Sequence, residues 1–147
     1  MKRFQSGLEG VAKVRGIAVR AGEVDLARAR TSLQQAESEQ NRARAALRGS
    51  LREAPAGTVV HVRHLLEQDA RLRALRGDLA RAEEAQRASE RTYETTLERL
   101  LRARTDAEAV ERLQRRRYLE FVREVLREEQ KGTDEVAART VQLRRAA

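Results

Sequence analysis

Gly49-Ser50-Leu51-Arg52-Glu53-Ala54-Pro55-Ala56-Gly57-Thr58 holds, in ten residues, two glycines, the only proline of the chain, a serine and a threonine. Such a cluster breaks regular structure and marks a loop. On both sides of it the sequence is made of helix formers. Ala, Leu, Glu, Lys and Arg account for 90 of 147 residues, and only four residues are aromatic. That composition belongs to long helices or coiled coils. It lacks the β-branched and aromatic runs that strands need. Without cysteine, disulfides, thiolate metal sites and cysteine nucleophiles are excluded.

Upstream of the loop an apolar stripe runs through Phe4, Leu8, Val11, Ala18, Gly22, Leu26, Ala29, Leu33, Ala36, Ala43 and Leu47. Its steps of three and four residues predict a helix over about 4–48. The Gly22, Leu26, Ala29 spacing reads as a stutter in the heptad. Four glycines among the first 22 residues soften this end, each costing about 1 kcal/mol against alanine. Downstream, Thr58 is a candidate N-cap. The stripe continues through Val62, Leu65, Leu72, Leu75, Leu79, Ala82, Tyr93, Leu97, Leu100, Ala107, Val110, Tyr118, Phe121 and Val125. This predicts a second helix over about 59–142, with kinks or stops near Gly77 and Gly132. Acid-to-arginine pairs at i,i+4 line its outer faces: Glu67 with Arg71, Asp69 with Arg73, Glu83 with Arg87, Glu98 with Arg102, Glu108 with Arg112 and Glu111 with Arg115. Each contributes about 0.2–0.5 kcal/mol.

Two amphipathic helices joined by one short loop form an antiparallel coiled-coil hairpin. The fold class is all-α, one coiled-coil domain over residues 1–147, the second helix longer than the first. At 1.5 Å per residue the two measure roughly 68 Å and roughly 126 Å. Pairing outward from the loop would end near residue 105. Residues 106–142 then overhang, yet they carry Val110, Leu113, Tyr118, Leu119, Phe121, Val122, Val125 and Leu126. Apolar surface of this kind calls for a partner.

Chemistry is sparse. His61 and His64 lie at i,i+3 by the loop with no third ligand nearby, so no metal is expected. Carboxylates alternate with arginines on solvated faces, and there is no phosphate loop, so neither an enzyme nor a cofactor is expected. The net charge is +8, and basic proteins meet nucleic acid, anionic membranes or acidic protein surfaces. The densest cluster is Arg115-Arg116-Arg117, flanked by Arg112 and Arg123, with Glu111, Glu120 and Glu124 interleaved. Stacking aromatics are too few for a sequence-reading nucleic-acid module, and the mixed signs argue against a membrane-surface helix. No apolar stretch follows residues 1–7 as in a signal peptide, and none is long enough to span a membrane. The expected compartment is the cytoplasm.

Both ends resemble the flagellar export protein FliJ family. The N-terminal likeness lies in Phe4, Leu8, Val11, Val14 and Arg15, continuing through Glu23, Leu26, Ala27, Ala29, Leu33 and Ala36. The C-terminal likeness is the Arg115–Arg117 helix leading into Arg127-Glu128-Glu129-Gln130-Lys131 and Asp134-Glu135-Val136-Ala137. The resemblance implies a non-enzymatic component of the flagellar type III export apparatus, shaped like the central stalk of rotary ATPases. Implied partners are the export ATPase (FliI-like), the export gate (FlhA-like) and export chaperones, with peripheral association at the inner membrane. Nucleic acid is not among them, and the chain alone would be a monomer. Carried onto this sequence, the ATPase end comprises Phe4, Leu8, Val11, Arg115, Arg116, Arg117, Asp134, Glu135 and Val136. The gate-facing tip comprises Leu65, Leu66 and Leu72. A basic coiled-coil nucleic-acid binder and a self-associating scaffold are the alternatives.

Overall fold

The computed structural model describes residues 4–53 and 61–146, with side chains to residue 142. Pro55 and Thr58 lie outside the described residues. The fold is all-α: α1 spans Glu9–Arg52 and α2 spans Val62–Ala146, packed together as a helical hairpin, the second helix the longer. Helix one differs from expectation at both ends. It starts at Glu9 because residues 4–8 follow an irregular path. It passes through Gly49 and Ser50, because Ser50 is buried and holds the last turn to the seam. Helix two runs unbroken through Gly77 and Gly132. A lone glycine in a well-supported helix costs free energy but does not stop it.

The chain forms two compact units, residues 1–19 with 103–147 and residues 20–102. In the second unit Gly22 meets Leu100, Arg44 reaches Glu83 at 3.6 Å and Glu53 reaches Arg71 at 3.4 Å. Partners on α2 fall in number as those on α1 rise, so the helices are antiparallel. The inward positions of α1 are Gly22, Leu26, Ala29, Leu33, Ala36, Gln40, Ala43, Leu47 and Ser50. They alternate small and large. Those of α2 are Leu72, Leu75, Leu79, Ala82, Gln86, Ser89, Tyr93, Thr96 and Leu100.

Stepping both helices by heptads from the Gly22–Leu100 contact sets Ala29 opposite Tyr93, Ala36 opposite Gln86, Ala43 opposite Leu79 and Ser50 opposite Leu72. The intervening layers set Leu26 opposite Thr96, Leu33 opposite Ser89, Gln40 opposite Ala82 and Leu47 opposite Leu75. In all but the last layer, a large residue on one helix meets a small one on the other. Such complementarity lets two helices interdigitate closely. Leu100, 2% exposed, is the most deeply buried hydrophobic side chain among the described residues, followed by Ala36 and Ala29. A Cβ built on Gly22 would lie 3.2 Å from Leu100 Cδ1 and 3.6 Å from its Cα, so glycine is there for close approach. The break in the heptad lies earlier than expected, in two successive three-residue steps at Gly16, Val19 and Gly22. Three-residue insertions of this kind perturb supercoiling locally.

In the first unit the inward positions of α1 are Ala12, Gly16 and Val19, while Val11, Val14 and Ala18 point outward. Arg15 pairs with Asp106 at 2.8 Å. Some expected ion pairs change partner. Glu67 binds Arg63, leaving Arg71 to Glu53, and Glu83 turns to Arg44. Asp69–Arg73, Glu98–Arg102 and Glu108–Arg112 form as expected. All are exposed except Glu83, which is half-buried, and such surface pairs are worth about 0–1 kcal/mol each.

The seam predicts opposite signs for two added methyl-bearing side chains. Ala36→Leu overfills a layer and should destabilise by about 1–3 kcal/mol. Gly77→Ala, whose Cβ would meet nothing within 4 Å, should stabilise by about 1 kcal/mol. Urea denaturation followed by circular dichroism measures both.

Candidate docking site at the chain ends

The residues before α1 form a strap across α2. Gly7 takes the left-handed conformation, φ 67°, which glycine adopts without a Cβ penalty. The Leu8 carbonyl accepts the first helical bond, from Ala12 N–H at 2.9 Å. Ser6 is buried, and its Oγ accepts the Leu8 N–H at 3.2 Å. Two side chains of α2 complete this serine. Arg117 Nη1 donates to the Ser6 carbonyl at 2.6 Å, and Gln114 Nε2 donates to its hydroxyl at 3.5 Å. A charged donor on a carbonyl is among the stronger hydrogen bonds.

Phe4 closes the strap. Its ring meets Tyr118 edge-on, centroids 5.3 Å apart and planes at 79°, and Phe121 at 5.4 Å and 47°. Such ring pairs add about 0.5–1.5 kcal/mol beyond the area they bury. Three aromatic residues, Arg117, Gln114 and a buried serine therefore hold this strap against α2.

This geometry sorts the residues expected at the ATPase end. Phe4 and Leu8 are half-buried in the hairpin, and Arg117 is bonded to the strap. Val11, Arg115 and Arg116 are exposed. Asp134, Glu135 and Val136 are exposed farther along α2. At the other end Leu65 and Leu66 are exposed, whereas Leu72 is half-buried in the seam. His61 and His64 are exposed, and no group of three metal-ligating side chains occurs among the described residues.

The overhang also moves. Pairing does not end near residue 105: Ala107, Val110 and Gln114 are half-buried, as are Phe121, Val122 and Val125. The continuously exposed stretch runs from Leu126 to Gln142. The register is the cause. Residues 61–67 are all exposed, and the inward positions of α2 begin at Gln68. That shift carries the pairing toward the C-terminus, and the strap extends it to Phe121. Reading periodicity alone misses Ser6, Gly7 and Gln114, because polar and small residues add nothing to an apolar stripe.

Replacing Phe4 with Ala should speed amide exchange across residues 4–8 while leaving residues 22–50 protected. A double-mutant cycle of Phe4→Ala with Tyr118→Ala should return a coupling of about 0.5–1.5 kcal/mol.

The flagellar FliJ protein family model matches residues 4–146. No curated protein and no solved structure matches the chain. None of the described helices is long and apolar enough to cross a membrane. With the family match covering nearly the whole length of a two-helix hairpin, the chain belongs to the flagellar FliJ family, non-catalytic components of the flagellar export apparatus.

Proposed function

We propose that this chain is the central stalk and assembly factor of the flagellar export ATPase. In this reading its chain ends enter the ATPase ring and its loop end faces the export gate. The observation that carries the proposal is the exposed run from Leu126 to Gln142 on α2. It includes Leu126, Val136 and Val141, each more than half exposed. A helix segment with no covering element keeps such residues in water at a cost of about 25 cal/mol per Å². Enclosure by a ring of subunits would remove that cost. Arg115 and Arg116 supply exposed positive charge beside it, and Asp134 and Glu135 supply negative charge farther along.

Leu65 and Leu66 are the counterpart at the loop end. They are offered as the contact to a gate protein, with export chaperones as further partners and peripheral placement at the inner membrane as the consequence. Leu72 serves the seam and does not join them. The strap fits the stalk reading in a specific way. By tying Phe4 and Ser6 to α2, it gives the two chain ends one common surface.

The test is ATP hydrolysis and ring formation by the cognate export ATPase with and without the full chain. Stimulation is expected at near one chain per ring. Arg115→Glu with Arg116→Glu should lower that stimulation several-fold at unchanged helicity. Val136→Asp should do the same. No binding and no stimulation by the unaltered chain would overturn the reading. A dimer by light scattering, formed through the exposed run, would favour the scaffold instead.

A further inference from the structure

The face of α2 turned away from the hairpin carries a line that neither the seam nor the strap uses. Arg112, Arg116, Leu119, Arg123 and Leu126 follow one another at steps of four, three, four and three residues, with Arg127 beside the last. At ~100° per residue this keeps all six within a stripe about 100° wide. The inward positions of the same segment, Val110, Gln114, Phe121 and Val125, lie on the other side of the helix. Every member of the stripe is exposed, Leu119 by 49% and Leu126 by 57%. Arg112 shares the Glu108 carboxylate at 3.1 Å. Arg116, Arg123 and Arg127 make no ion pair among the described residues. Glu111, Glu120 and Glu124 fall on the flanks, roughly 70° or more around the helix from the centre of the line. The mixed sign of the chain as a whole therefore does not hold along this stripe.

We propose that this stripe is a docking surface for an anionic lipid bilayer. A straight helix touches a plane along one line, and here that line is basic with two leucines set into it. Arginines favour a negatively charged leaflet, and interleaved leucines gain by entering the headgroup boundary. Glu111 and Glu124 stay clear of a plane and Glu120 lies at its edge, roughly 20° beyond Arg127, whereas a partner helix packing beside the line would have to meet them. A second copy is disfavoured, since arginine would face arginine. Duplex nucleic acid would use the arginines and leave Leu119 and Leu126 idle. The proposal does not rest on the stalk reading. Arg116 and Leu126 belong to both surfaces, so ring and bilayer contacts would exclude each other.

Vesicle co-sedimentation of the full chain tests it, comparing phosphatidylcholine alone with phosphatidylcholine containing phosphatidylglycerol. Partition into the anionic vesicles alone is expected. The triple variant Arg116→Gln, Arg123→Gln, Arg127→Gln should weaken it roughly a hundredfold, and Leu119→Ser with Leu126→Ser roughly tenfold. A control triple, Arg30→Gln, Arg42→Gln, Arg48→Gln, changes net charge equally and should retain binding. Circular dichroism verifies that each variant keeps its helicity. Absence of binding to anionic vesicles would overturn the proposal, as would equal loss in the control triple. A leucine variant that binds like the unaltered chain, alongside equally tight binding to duplex DNA, would overturn it in favour of a general polyanion surface.

Discussion

Everything in the larger unit depends on how closely two helices can approach at Gly22 and Leu100. The glycine has no Cβ to spare, and the leucine fills the space that this leaves. Once that layer is set, the heptad repeat fixes the others. Small residues recur every seven positions along α1, at 22, 29, 36, 43 and 50, and the positions facing them on α2 are larger. A register shift of one heptad would keep small against large at some layers, but it would remove Leu100 from its glycine. The seam is also lean. Its deeply buried hydrophobic residues are few, and glutamines take positions that leucine would fill in a stronger coiled coil. Shape, more than buried apolar area, fixes how these two helices align.

The smaller unit solves a different problem. Residues 4–8 leave the helical path and are tied to α2 by rings and by hydrogen bonds to a buried serine. The ring contacts of the strap on α2 reach Phe121, and Val122 and Val125 beyond it are half-buried. The rest of the helix presents two kinds of surface. One is the exposed run to Gln142, whose apolar residues have no cover among the described residues. The other is the outward line of arginines and leucines. In the stalk proposed above, the strap would mark off a held part of α2 from the exposed run that follows it.

Much of this was legible in the sequence. The two helices, their unequal length and the stripe from Gly22 to Leu47 follow from punctuation and period alone. The reading failed where the seam chooses small or polar residues. Ala12, Gly16 and Val19 face inward although Val11 and Val14 are the larger neighbours of the first two, because close packing rewards the residue that fits over the one that is most apolar. Gln40, Gln68, Gln86 and Gln114 are invisible to a hydrophobic count for the same reason. The pairing register was out of reach, since it is set by the Gly22–Leu100 fit and not by distance from the loop. Of the residues expected at the ATPase end, Arg115 and Arg116 are exposed, and the spacing of Arg117 carries no sign that it bonds Ser6.

The most direct measurement of the account is disulfide trapping, for which the absence of native cysteine leaves a clean background. Ala36→Cys combined with Gln86→Cys places the two thiols in one layer. Mild oxidation should then yield a cross-linked monomer in high proportion. Ala36→Cys with Leu79→Cys, displaced by one heptad or about 10 Å along the axis, should remain reduced. Efficient cross-linking of the displaced pair, or cross-links only between chains, would contradict the hairpin register on which the rest is built.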